Sequence, residues 1–266
     1  MYSHSEGESP KESSLLLTPK AGLLRQKSRN DRFGFTLAEV LITLGIIGVV
    51  AALTLPVVIQ NYQKQVTVER LKEVYSIFNQ AIVNSELDNG DYTEWDYTGD
   101  SVGSNFFNKY LKQYLKGVTE VKTYKSYNVK ALETKYTGDF WVAGSKKYAL
   151  ANGMIFSVRV NSYTGANRIK TGAVITVDIN GEKSPNRMGR DVFVMSIFPY
   201  SSYHARKLVL GNFELCGSGN LHYFMNRSQL LNEGCGTCNS DHSGYGLACG
   251  LLIQLDGWKI LSDYPW

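Results

Sequence analysis

Histidine and proline are scarce in this 266-residue chain, at four and six, and no charged side chain occurs between Val40 and Gln63. His4 lies in the opening residues, and His204, His222 and His242 lack metal-ligand spacing, so a histidine-based zinc centre is not expected. Ser201-Ser202-Tyr203-His204 has no Gly-x-Ser-x-Gly elbow around it. Gly144-Ser145-Lys146 lacks the rest of a phosphate-binding loop. Charge is nearly balanced, with 28 Lys and Arg against 24 Asp and Glu, and part of the small basic excess precedes residue 35. No basic surface for nucleic acid is therefore expected. No internal repeat with a period of about 20–50 residues is present. These absences leave no enzyme active site in view.

What is present begins with an apolar run. From Phe35 to Ile59 the chain is long enough to cross the roughly 30 Å hydrocarbon core of a bilayer as a helix. A basic, polar segment precedes it, which places the N-terminus on the cytoplasmic side. One acid, Glu39, stands just inside the run, five residues into the segment that begins after Gly34. All four cysteines (Cys216, Cys235, Cys238, Cys249) lie beyond the run, on the oxidising side where disulfides persist.

The string Arg32-Phe33-Gly34-Phe35-Thr36-Leu37-Ala38-Glu39 and the apolar stretch after it resemble the prepilin signature of type IV pilins and type II secretion pseudopilins. That resemblance implies cleavage between Gly34 and Phe35 by a membrane prepilin peptidase, then methylation of the new Phe35 amine. It implies identical or related pilin subunits and an inner-membrane assembly platform as partners, with the work of assembly supplied by a separate ATPase. It implies a precursor in the inner membrane, and later a periplasmic pseudopilus or a cell-surface pilus. The leader is longer than most in that family.

Three regions are expected. Residues 1–34 show no sustained periodicity and read as a disordered cytoplasmic leader. Residues 35–88 read as one long helix, membrane-spanning to about residue 59. Past the membrane, Leu71, Val74, Phe78, Ala81 and Ile82 recur at three- and four-residue steps and form an apolar stripe. At about 1.5 Å per residue the helix would reach roughly 80 Å. Pro56 should kink or locally melt it, and Asp88-Asn89-Gly90 should end it. Residues 89–266 form the periplasmic or extracellular globular domain. In it Phe106, Phe107, Tyr110, Leu111, Tyr114 and Leu115 suggest a short second helix ending at Gly117. Segments 154–160, 173–179 and 191–198 read as strands of an antiparallel meander laid over the long helix. The tail 251–260 reads as a final hairpin with Asp256-Gly257 at its turn. The fold class expected is α+β and pilin-like, with a disulfide-stapled C-terminal region.

Each motif has a plainer reading beside the functional one. A carboxylate near the membrane interior costs on the order of 2.5–3.5 kcal/mol on insertion scales, so Glu39 needs a partner. The freed ammonium of Phe35 on a neighbouring subunit supplies one and would set the axial register between helices. The plainer reading is an interfacial acid that stays hydrated near the headgroups. Gly34-Phe35 competes with an ordinary secretory signal cut near Ala51-Ala52, which would release a soluble domain. Gly45, Gly48, Ala51 and Ala52 suit close helix packing in lipid, although glycine is common in membrane helices anyway.

The segment 178–191 gathers the oxygen side chains of Asp178, Asn180, Asn186 and Asp191, a set that can contribute to a calcium site. Major pseudopilins carry calcium in a sheet-region loop, though nearer the C-terminus. The alternative is a connection shaped by Asn-Gly and Ser-Pro-Asn turns. The cysteines lack the paired knuckles of a four-cysteine zinc site and the βαβ context of a redox motif. Two structural disulfides are expected, and sequence leaves three pairings open. The function expected is a structural filament subunit with no cofactor beyond possible calcium. The other reading is a minor tip pilin or membrane-anchored adhesin, binding through the tyrosine-rich connector or the 216–249 loop.

Overall fold

A computed structural model describes residues 34–98, 102–122, 129–130, 137–138, 145–165, 168–199, 207–211, 226–232, 236–239 and 246–266. Two compact units emerge, Met1–Ala52 and Leu53–Trp266, so the boundary falls inside the long helix. That helix, α1, runs from Leu37 to Asn89. It is continuous through Pro56, and the local melting expected there is not found. It stops as expected: Gly90 takes a left-handed φ of 77°, and its amide donates to the Glu86 carbonyl at 3.0 Å.

Within the second unit, the buried face of α1 comprises Thr67, Val68, Leu71, Val74, Phe78, Ala81, Ile82 and Ser85. This is the apolar stripe read from the sequence, extended by a turn in each direction. It packs on a six-stranded antiparallel sheet. Its strands are β1 (Thr119–Glu120), β4 (Lys147–Ala149), β5 (Ile155–Gly165), β6 (Arg168–Asp178), β7 (Val192–Ile197) and β8 (Leu208–Leu210), in that spatial order. A separate pair joins β2 (Val129–Lys130) and β3 (Thr137–Gly138).

Strand alternation sorts the core. Phe156, Val158, Ala173, Ile175, Val177, Phe193, Met195 and Ile197 join the cluster that contains the α1 stripe. Their sequence neighbours Ile155, Val174, Val192 and Val194 join a second cluster with Met188 and Leu247. Every residue of β7 is buried, which is why that segment is apolar apart from Ser196, whose hydroxyl donates to the Gly211 carbonyl at 2.8 Å. Phe78 meets Phe156 edge to face, with ring centroids 5.2 Å apart.

The connector after α1 is aromatic. Trp95 stacks on Tyr110 at 4.7 Å, and its indole nitrogen donates to the Gly90 carbonyl at 2.9 Å. Tyr110 ends α2 (Ser104–Tyr110), and a single 3-10 turn, Lys112–Tyr114, follows it. The expected second helix is thus present but breaks at Leu111.

The tail corrects the sequence reading. Residues 251–255 belong to a helix, here α4 (Cys249–Leu255), and not to a strand. The Trp258 amide donates to the Ile253 carbonyl at 2.8 Å and the Gly257 amide to Gln254 at 3.2 Å. Those two bonds are a Schellman helix stop, so Asp256-Gly257 ends a helix where a hairpin turn was expected. A continuous run such as Leu251-Leu252-Ile253 has no period, and burial on all sides suits either element. A further helix, α3 (Arg227–Asn232), lies between β8 and α4 in the chain.

Candidate functional site

At the head of α1 the local sequence makes its own cap. The Thr36 amide and hydroxyl each donate to Glu39 Oε2 at 2.8 Å, and the Glu39 amide donates back to Thr36 Oγ1 at 3.2 Å. This is a capping box: the threonine and the acid three residues on satisfy each other's backbone donors at the helix start. Glu39 therefore has a partner in its own chain, which the sequence reading did not assign, although Thr-x-x-Glu before an apolar run is a legible signal. Both donors converge on Oε2; among the described residues Oε1 receives none. Gly34 precedes the helix, and Phe35 is 86% exposed.

From residue 34 to residue 63 every side chain is exposed. Leu41, Ile42, Leu44, Ile46, Ile47 and their successors to Ile59 form an apolar surface that water does not support. Among the described residues, one helix is long and apolar enough to cross a membrane, and this is it. A β-carbon placed on Gly45 or Gly48 would meet nothing within 4 Å, so no contact among the described residues requires glycine at either position.

The loop from Asp178 to Asp191 brings two of the four proposed calcium ligands, Asn180 and Asn186, onto a third, Asp191, while Asp178 pairs with the Asn180 amide. Asp191, 3% exposed, accepts from the Arg187 amide at 2.5 Å, the Asn186 amide at 2.7 Å and Asn180 Nδ2 at 3.1 Å. Asp178 accepts from the Asn180 amide at 3.1 Å. Burial pushes the Asp191 carboxyl above the ordinary aspartate value, and the Arg187, Asn186 and Asn180 donors pull against that rise. The Asn180 and Asn186 side-chain oxygens are buried without a hydrogen-bond partner. Two such oxygens would welcome a cation. The arrangement fits calcium poorly: the central carboxylate faces N–H groups, and no group of three or more His, Cys, Asp or Glu converges among the described residues. Asp191 closes the loop by itself.

Next to that loop, Tyr62, Thr67, Arg70, Pro185, Arg190 and Trp266 line a groove of about 540 Å³. Thr67 Oγ1 donates to the Arg190 carbonyl at 3.2 Å, and Arg70 Nη1 to the Ile179 carbonyl at 3.1 Å. The Arg190 guanidinium lies 4.9 Å from the centre of the Trp266 ring, and Lys64 Nζ lies 5.8 Å from it.

Of the three cysteine pairings, the structure contains Cys238–Cys249. Cys216 and Cys235 lie outside the described residues, as do His204, His222 and His242. The bridge ties the start of α4 to the segment after α3. Tyr264 is buried beside it and donates to the Gly189 carbonyl. A β-carbon on Gly189 would come within 2.6 Å of Cys249 Sγ, and φ there is +76°, so only glycine fits. Arg227 reaches from α3 to Asp256 and Asp263, with contacts of 2.6 and 2.7 Å, and sequence reasoning did not find this pair.

Residues 29–55 match the prokaryotic N-terminal methylation motif, the prepilin signature of type IV pilins and pseudopilins, so the chain is a pilin-like precursor. No curated protein and no solved structure matches the chain. Residues 57–266, most of the chain and nearly all of its second compact unit, match the family of unknown function DUF6613, and the chain belongs to that family.

Proposed function

We propose that this chain is a structural subunit of a type IV pilus or a type II secretion pseudopilus, not an enzyme. The observation that carries the reading is the Gly34-Phe35 junction, leading through Thr36 and Glu39 into a fully exposed apolar helix. Residues 40–59 anchor the precursor in the cytoplasmic membrane, with the leader on the cytoplasmic side. Prepilin peptidase cuts between Gly34 and Phe35 and methylates the new amine. Subunits then leave the bilayer through an assembly platform and pack helix against helix, so the exposed apolar surface passes from lipid to neighbouring subunits. The Phe35 ammonium of one subunit meets Glu39 of the next, for which Oε1 remains open while Thr36 holds Oε2. The filament forms in the periplasm or on the cell surface.

Mass spectrometry of the mature N-terminus tests this. N-methylphenylalanine at Phe35 is expected. A mature chain that begins at Met1, or near Thr54, overturns the proposal.

A further inference from the structure

We propose that the groove between residues 62–70 of α1 and residues 184–190 holds the phosphate headgroup of a membrane phospholipid, in the leaflet where the helix leaves the bilayer. This rests on the reading of residues 40–59 as the membrane span.

The first support is depth. The uncharged run ends at Gln63, and Lys64 is the first cation after it. The headgroup layer adds roughly 5–8 Å beyond the hydrocarbon on each side, which a helix covers in about four or five residues. With hydrocarbon ending near Ile59, Tyr62 and Lys64 stand at headgroup level.

The second support is chemistry. Trp266 is approached by two cations, Arg190 at 4.9 Å and Lys64 at 5.8 Å. Neither cation has an ion-pair partner among the described residues. The Trp266 indole nitrogen is buried without an acceptor. An indole donor beside two cations is the complement of a phosphate diester and its neighbouring ester oxygens. Tyr62 and Trp266 are the amphipathic rings that collect at membrane interfaces. The one acidic side chain in the wall, Asp191, has its carboxylate engaged by the Arg187, Asn186 and Asn180 donors. A second copy presenting its apolar helix would leave both cations and the indole N–H unpaired. An anionic headgroup satisfies all three.

The test uses the full chain in a nonionic detergent, titrated with dihexanoyl phosphatidylglycerol and followed by tryptophan fluorescence. We expect a saturable change that Trp266→Phe abolishes, which assigns the signal to the groove. Lys64→Gln and Arg190→Gln should each weaken binding about fivefold, whereas Arg190→Lys, which keeps the charge, should retain most of it. Equal affinity for inorganic phosphate overturns the proposal in favour of a free-anion site. Unchanged affinity in both glutamine variants also overturns it, as does a signal that follows protein concentration without lipid, the mark of a second copy. Alkaline carbonate extraction of native membranes keeps two failures apart. A chain that washes off refutes the membrane span itself; one that stays while the titration fails refutes the headgroup site alone.

Discussion

Thr36 places both its amide and its hydroxyl 2.8 Å from one carboxylate oxygen of Glu39. The acid at the head of the helix thus performs a local task before any neighbour arrives, and the two tasks can be separated.

Glutamine serves in a capping box as well as glutamate does, but it carries no charge. Glu39→Gln should therefore preserve the helix start and membrane insertion while losing incorporation into filaments. Thr36→Ala should loosen the cap by about 0.5–2 kcal/mol, seen as faster amide exchange over residues 36–39. Normal filament growth by Glu39→Gln would assign the carboxylate to capping alone.

Phe78 is fully buried against Phe156, at the centre of the interface between α1 and the sheet. Phe78→Ala should lower stability by about 3–5 kcal/mol, measured by denaturant unfolding of the purified chain in detergent. A loss below about 1 kcal/mol would mean that the helix does not rest on the sheet there.

Asp191 closes its loop with three N–H donors. Asp191→Asn turns one acceptor into a donor that faces another donor and should cost about 1–3 kcal/mol. Because the Asp191 carboxylate already accepts from three N–H donors, added calcium and added chelator should leave the melting temperature of the native chain unchanged. A calcium-dependent rise would restore the metal reading of Asp178, Asn180, Asn186 and Asp191.

The Cys238–Cys249 bridge should contribute about 2–4 kcal/mol, lost in Cys238→Ser as a lower unfolding midpoint. The same midpoint in native and variant chains would show that the bridge does not stabilise the fold.

The Arg227 guanidinium, through its hydrogen bonds, holds the pKa of the Asp263 carboxyl below the ordinary aspartate value. A carboxyl depressed in the folded state contributes its stability above the unfolded value and loses it as pH falls through the lowered one. Stability should therefore fall below about pH 4, with a small amplitude because the pair is solvent-exposed, and Arg227→Gln should flatten that part of the curve. An acid limb identical in the variant would remove Asp263 from the account.

The long helix and its buried stripe were legible because Leu71, Val74, Phe78, Ala81 and Ile82 repeat at the period of a helix with one wet face. The cores of β5, β6 and β7 were legible from their branched and aromatic residues. The outer half of the β5–β6 hairpin was not, since Asn161, Ser162, Arg168 and Lys170 break the apolar pattern. Strands as short as β1, β4 and β8 carry too few side chains to show a period. The tail was misread because its apolar run looks the same from a strand as from a fully buried helix.

The amino-acid order alone determined the long apolar helix and the Thr36–Glu39 start that leads into it, since these depend on residues close together along the chain. Tertiary structure decided which cysteine faces Cys249, that Asp191 turns inward to its own loop, and that Arg190 and Lys64 meet over Trp266. Lys64, Arg190 and Trp266 are far apart along the chain, whereas the other two sets of partners lie within 11 residues of each other and are settled by how their loops fold. The docking of α1 on the sheet, driven by burial of the Leu71–Ile82 face, brings Lys64 within reach of Trp266.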